Sequence, residues 1–338
     1  MMPQQNVQTL QDIAQLANVS TSTVSRALND SPLISQQTKE RIQDIAQQHN
    51  FRINLPARNL RLRQSQTIAF VASDYSPDYF SADDLFGLGM LSGIGKGLHA
   101  LGYDLLVMQV DPQDRDWAQA YLDSGRVDGF ILLTSNHKPS LIENLVISNI
   151  PFIGWGVPLR GFNYCTVTGD NLGGGRLATQ YLIDLDRQHI AFLGGPQDSL
   201  TIQHRLQGYQ NALQVAGRDV NRSLQAFTDY SYDSGMVAMQ RLLAQSPNLD
   251  AVFVTSDLMA IGAINVVQNH GKRVPEDIAV VGYDDLPIAV YNNLPLTTIR
   301  QDFPLVGKLL AENLVQYIQK GVVTNVITPV ELVIRKSA

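Results

Sequence analysis

From Gln66 onward the chain alternates continuous apolar runs with helical stretches, and this rhythm leaves few folds open to it. TIAFVAS, YDLLVMQV, DGFILLT and PFIGWG are such runs, with an amphipathic stretch near Leu85–Leu101 between the first two. Unbroken apolar runs suit strands covered on both faces, which a parallel sheet wrapped by helices provides. The rhythm restarts at Tyr164: strand CTVT, helix Asn171–Leu185, strand HIAFLGG, helix Arg205–Ala216, strand DAVFVTS, helix Leu258–Asn269 and strand IAVVGYDD. Two consecutive α/β units of similar design predict two parallel-sheet, Rossmann-like lobes with a cleft between them. Ligands collect at the carboxyl ends of such strands, where the connecting loops diverge.

The front of the chain follows a different period. In TLQDIAQLANVSTSTVSRAL, Leu10, Ile13, Ala14 and Ala17 recur at i, i+3, i+4 and i+7, an apolar stripe of helical spacing. Thr9 with Asp12 three residues on has the form of a capping box, and Ser20 is placed to cap a second helix. In that helix Val24, Ala27 and Leu28 face inward, which leaves Thr21, Ser22, Ser25 and Arg26 outward. Ser35 is placed to cap a third helix carrying Ile42, Ile45 and Ala46. A two-turn helix, apolar behind and small-polar with one Arg in front, fits a DNA major groove roughly 12 Å wide. The pattern predicts a helix-turn-helix whose second helix reads bases; an ordinary helical hairpin is its rival on the pattern alone.

Charge separates the two. Residues 1–64 hold seven basic and four acidic side chains, a net of +3, whereas the whole chain is −6, leaving −9 for the remainder. An acidic protein with a basic head is what a localised phosphate contact requires. The single cysteine, Cys165, excludes an intrachain disulfide framework and suits a reducing cytoplasm. No secretory signal and no run of about 18 apolar residues is present, so a cytoplasmic chain without a membrane span is expected.

The run from Leu10 to Leu60, with VSTSTVSRALN, Asn50-Phe51 and ARNLR, closely resembles the lactose-repressor (LacI) family of bacterial transcription regulators, and the likeness continues in blocks to the C-terminus. The resemblance implies an all-α helix-turn-helix headpiece over residues 1–52, a hinge helix and linker over 53–65, and an α/β two-lobed periplasmic-binding-protein-like core over 66–338. On this reading the first lobe takes about 66–163 and 296–322, and the second about 164–295 and 323–338, with TTIRQDF, a helix Pro304–Gly321 and a strand ITPVELVIR crossing back. The DNA-facing set is Thr9, Thr21, Ser22, Ser25, Arg26, Asn54, Arg58 and Leu60, with Leu60 matching the family's minor-groove lever. Ile53 and Pro56 depart from the family's usual hinge residues. The effector set is Ser73, Trp155, Arg205, Tyr230, Ser256, Asp284, Gln301 and Phe303. Ser256 stands where many members have Asn, and Gly156 where many have Asp, with Trp155 expected to line the pocket instead. Arg with Asp favours a hydroxylated ligand, a mono- or oligosaccharide, through charge-assisted hydrogen bonds.

The expected protein is therefore a repressor that binds double-stranded operator DNA as a homodimer and is released by a sugar. No heptad repeat follows the last strand, which favours a dimer over a coiled-coil tetramer. A corepressor-dependent regulator and a sugar-binding protein without a DNA role are the alternatives. An enzyme is not expected, nor a cofactor or metal. The run NLGGGRLA lacks the GxGxxG spacing of a dinucleotide site, no Ser-His-Asp spacing or metal-ligand cluster is seen, and His189, His204 and His270 are scattered. Among strand-end carboxylates, Asp257 is expected to cap the helix that follows it.

Overall fold

The computed structural model describes residues 9–51, 64–71, 85–111, 114–133 and 139–338. The chain divides into two compact units, Met1–Ser65 and Gln66–Ala338.

Among the described residues the first unit contains three helices, α1 (Leu10–Ala17), α2 (Thr21–Leu28) and α3 (Gln36–Gln48). Each begins at a side chain that satisfies an orphan backbone donor. Thr9 Oγ1 accepts from Asp12 N while Asp12 Oδ2 accepts from Thr9 N, closing the capping box. Ser20 and Ser35 accept from Thr23 N and Thr38 N. Asn18 turns the chain out of α1 at φ 50°, a left-handed position that Asn tolerates. Ile13, Ala14, Ala17, Val24, Ala27, Ile42 and Ala46 form the core. So small a core gains from a further tie: Lys39 Nζ donates to the Asp30 carboxylate at 2.6 Å and to its carbonyl at 3.1 Å, fastening α3 to the turn after α2.

The second unit is doubly wound. In chain order it runs β1 (Thr67–Val71), α4 (Leu85–Ala100), β2 (Asp104–Met108), α5 (Trp117–Asp123), β3 (Gly129–Leu133), α6 (Pro139–Ile147), β4 (Phe152–Trp155) and β5 (Cys165–Gly169). There follow α7 (Asn171–Asp184), β6 (Ile190–Gly194), α8 (Leu200–Val215), β7 (Gln225–Phe227), α9 (Tyr232–Gln245), β8 (Ala251–Val254), α10 (Asp257–Asn269) and β9 (Ala279–Asp284). The chain ends with α11 (Pro287–Tyr291), β10 (Thr297–Gln301), α12 (Phe303–Lys320), β11 (Asn325–Thr328) and β12 (Val330–Val333). Two six-stranded sheets result, ordered β11-β5-β4-β3-β1-β2 and β12-β10-β9-β8-β6-β7. Neighbours pair in parallel except β12, which runs antiparallel to β10.

The inner strands of each sheet are buried on both faces, and the pleat assigns the residues. In β1, Ile68 and Phe70 join the apolar layer under α4 and α12, while Ala69 and Val71 join the layer under α5 and α6. In the second sheet, Val252 and Val254 face α9 and α10, whereas Phe253, Val281 and Tyr283 face α7 and α8. Period-two alternation within uniformly apolar runs is the expected signature of strands covered on both sides.

The crossings between lobes fall elsewhere than expected. CTVT, expected to open the second lobe, is β5 of the first sheet, paired to β4 and β11. TTIRQ, expected in the first lobe, is β10 of the second sheet. ITPVELVIR is two strands in different sheets, interrupted at Pro329, which has no N–H to give a ladder. The chain therefore passes between lobes after β5, after β10 and between β11 and β12. Arg205, expected to open a helix, lies in the second turn of α8, whose N-cap is Ser199. The helices α6 and α9 and the strand β7 were not anticipated.

Candidate functional site

In the first unit, α2 turns Val24 and Ala27 into the core and leaves Thr21, Ser22 and Arg26 exposed, with Ser25 partly so. Its outward face is thus small, polar and singly cationic. Ser22 Oγ lies 2.8 Å from Ser20 Oγ, so the capping serine also orients one side chain of that face. Thr9 is exposed at the start of α1, where its hydroxyl serves the cap. Asn54, Arg58 and Leu60 lie outside the described residues, as does Ser73 of the effector set.

In the second unit, the carboxyl ends of β5, β8, β9 and β10 gather a polar cluster around Arg205. Arg205 is 5% exposed. Its Nε donates to Asn171 Oδ1 at 2.9 Å and its Nη1 to the Thr255 carbonyl at 2.7 Å. Its guanidinium carbon stands 3.5 Å from the centre of the Tyr283 ring, a cation–π stack inside the fold. Asp284 ends β9 and accepts from Gln301 Nε2 at 2.7 Å. Burial raises the Asp284 carboxyl to about 7, against the lowering influence of Arg205 and of the Gln301 hydrogen bond. Tyr230, at φ 73°, is held by burial at about 12 and feels the charges of both Arg205 and Asp284. Gln301 is 3% exposed, and its Oε1 has no hydrogen-bond partner among the described residues.

The backbone presenting Asp284 is strained. Asp284 and Asp285 have φ of 112° and 59°, a region non-glycine residues occupy only when the surroundings impose it. Three ties hold them there. Asp285 pairs with Arg300 at 2.6 Å and with Arg335. Arg300 also reaches Glu331. Asp257 accepts from Leu286 N at 2.7 Å and from Thr298 Oγ1 at 2.6 Å. Asp257 thus ties the Asp285–Leu286 loop to β10 instead of capping α10. Burial, and then the neighbouring Asp284 charge, raise its carboxyl well above the usual range.

Of the expected effector residues, Arg205, Tyr230, Asp284 and Gln301 come together. Ser256 lies beside them as the N-cap of α10, 8% exposed, with no side-chain capping bond. Trp155 and Phe303 are placed with the first-lobe core. Trp155 follows Ile153 onto the α4 and α12 face by strand parity and is 5% exposed. Phe303 packs edge-on against Phe86 at 5.4 Å and over Gly89. Asn171, Thr255 and Tyr283, which fix Arg205, were not anticipated; the Tyr directly before the strand-end Asp284 was the available signal.

Among the described residues no group of three or more His, Cys, Asp or Glu is placed to hold a metal ion, and no helix is long and apolar enough to cross a membrane.

The model of bacterial regulatory proteins of the lacI family matches residues 9–54, and that of periplasmic binding protein-like domains matches residues 179–338. The HTH-type transcriptional regulator CelR of Thermobifida fusca is 37% identical over 315 residues, covering 92% of each chain. The ribose operon repressor of Escherichia coli (strain K12) is 32% identical over 315 residues, covering 92% of this chain and 93% of its own. Among solved structures, a CelR–cellobiose complex superposes with a TM-score of 0.75 at 34% identity, over 98% of this chain and 99% of that one. The lac repressor dimer bound to operator and the anti-inducer ONPF gives 0.79 at 29% identity, over 97% and 98%. These relatives are transcription regulators, and the chain belongs with them to the lacI family of bacterial regulatory proteins, as a DNA-binding transcriptional regulator.

Proposed function

We propose that the protein is a repressor that binds a two-fold-symmetric operator as a homodimer and leaves it when a saccharide occupies the cleft between its lobes. Arg26 supplies the direct base contact, bidentate to a guanine, with Thr21 and Ser22 beside it. Arg58, Arg61 and Arg63 neutralise phosphates. The observation that carries the effector half is the burial of Arg205 and Asp284 at the same strand ends, near enough for the Arg205 charge to act on the Asp284 carboxyl. A buried guanidinium and a buried carboxyl group at one set of strand ends offer donors and acceptors to the vicinal hydroxyls of a sugar. Gln301 adds an unmet acceptor. The CelR relative is described in complex with cellobiose, which makes a glucose disaccharide the first ligand to try on this chain and ribose the second.

A ligand moves such an equilibrium only by its differential affinity for the two states, so a thousandfold loss of operator affinity needs roughly 4 kcal/mol of coupling. The deciding experiment selects an operator from random duplexes, then titrates it with and without cellobiose or ribose. Release by one sugar is the expected result. Tighter binding with sugar reverses the sign to corepression, and indifference to every duplex and sugar overturns the reading.

A further inference from the structure

The run NLGGGRLA forms the first two turns of α7, and each of its glycines faces a different neighbour. A Cβ on Gly173 would overlap the Asp170 carboxylate that caps the helix. On Gly175 it would overlap the main-chain oxygen of Arg205. On Gly174 it would overlap the Tyr283 hydroxyl, with two ring carbons at 2.8 and 2.9 Å. Gly208 of α8 answers from the other side, its Cβ position overlapping the Leu172 carbonyl. Helices α7 and α8 therefore meet backbone to backbone, and that approach fixes the Cα of Arg205.

What remains is the orientation of a long side chain with large rotamer freedom. Asn171 and the Thr255 carbonyl hold two of its three guanidinium nitrogens. Hydrogen-bond angles tolerate departures of tens of degrees, so these two bonds restrain the tilt of the plane only loosely. The Tyr283 ring, 3.5 Å away and fully buried, fixes it by stacking. The ring is itself held by β9 at one end and by the recess over Gly174 at the other.

We propose that Tyr283 is a positioning residue for the Arg205 guanidinium, and that Gly174 is the notch that seats its phenol ring. The inference deepens the effector reading of Arg205 and rests on it. Tyr283 acts through Arg205, setting the guanidinium plane before a ligand arrives, so that little of its freedom remains to be lost on binding.

The test uses the full chain in six forms: wild type, Gly174→Ala, Tyr283→Phe, Gly174→Ala/Tyr283→Phe, Tyr283→Leu and Gly174→Ala/Tyr283→Leu. Two readouts are taken. One is the Arg205 Nε–H resonance in sugar-free protein labelled with 15N-arginine, assigned by its loss in Arg205→Lys. With the guanidinium carbon 3.5 Å from the ring centre, the ring current should shift this proton upfield. The other is cellobiose affinity by calorimetry. Gly174→Ala should move the resonance downfield and weaken cellobiose on the order of tenfold, the scale of a buried cation–π contact. The double variant should recover part of both, because phenylalanine vacates the hydroxyl's place but leaves the ring carbons. Such non-additivity marks residues in contact. Tyr283→Leu should lose the upfield shift and weaken cellobiose without restoring anything when Gly174 is also changed. An unmoved resonance in Gly174→Ala, or a double variant no better than the single, overturns the proposal. If wild type binds no cellobiose, that sugar is excluded as effector, and the resonance alone then decides the positioning claim. Should Gly174→Ala fail to fold, Tyr283→Leu carries the test: an unshifted Arg205 resonance in it refutes the role.

Discussion

At the scale of single residues, Asp284 sets burial and backbone strain against charge. Its carboxyl is buried, its backbone is strained, and its folded value of about 7 lies far above the ordinary 3.8. A raised value means that the folded state holds this proton more tightly than the unfolded chain. The stabilisation is complete below about pH 4 and is lost as the pH rises through about 7. Above that, an ionised carboxylate sits in the fold, offset by Arg205 and Gln301. Asp257 shifts in the same direction, in part because of the Asp284 charge. Melting temperature should therefore fall for wild type between pH 5 and 8, and Asp284→Asn should flatten that fall by removing one group and relaxing the other. Parallel slopes for the two proteins would refute this assignment of the proton. In the first unit the corresponding residue is Arg26, exposed on the outer face of α2. Arg26→Ala should cost specific binding about 1–3 kcal/mol and relax the preference at one base pair, read by competition against single-base operator variants. A base preference unchanged in the variant places the reading contact elsewhere.

Among elements, the pair α4 and α12 shows how glycines decide packing. A Cβ on Gly307 of α12 would overlap the backbone of Gly93 on α4, and one on Gly93 would overlap the Phe303 carbonyl. Gly95, on the same helix, has only a Leu105 methyl at 3.8 Å. Gly307→Ala should accordingly destabilise by about 1–3 kcal/mol through overpacking. Gly95→Ala should be neutral or stabilise by roughly 0.5–1 kcal/mol through backbone entropy. Urea midpoints of the two variants settle the contrast, and equal shifts would contradict it. This contrast also marks what a sequence can reveal. The three helices of the first unit and the inner strands were legible because caps and apolar periods are local. The sheet to which Cys165–Gly169, Thr297–Gln301 or Asn325–Thr328 belongs was not, because a four- or five-residue strand carries no label for its partner. Arg205 was recognised but misplaced on its helix, since Ser199 offers no stronger local signal than the residues after it. Trp155 shares parity with Ile153 and lies in the α4 and α12 layer, which parity alone could not show because both faces of that strand are covered. Tyr283 was missed because an aromatic inside an apolar strand looks like packing, and here it is packing that also orients a charge.

For the whole molecule, the three passages of chain between the lobes lie beside the cluster that would take the ligand. The chain leaves the first lobe just before Asp170 and Asn171, and Asn171 holds Arg205. It leaves the second lobe just after Gln301, which holds Asp284, and enters α12 at Phe303 against α4. A ligand that draws on Arg205, Asp284 and Gln301 therefore loads two of the three connections directly. Any preference for one lobe arrangement must then appear as a coupling free energy between sugar and operator, and such a coupling is reciprocal. Couplings of this kind run about 1–3 kcal/mol, or roughly 5- to 150-fold. If cellobiose weakens operator binding by some factor in that range, saturating operator must weaken cellobiose binding by the same factor. Calorimetry of sugar on free and operator-bound protein, set beside operator titrations with and without sugar, measures both arms. Agreement within error identifies two states of one assembly. A larger effect on operator than on sugar would mean that sugar also dissociates the protein's subunits, and its dependence on protein concentration would separate that case from simple gating.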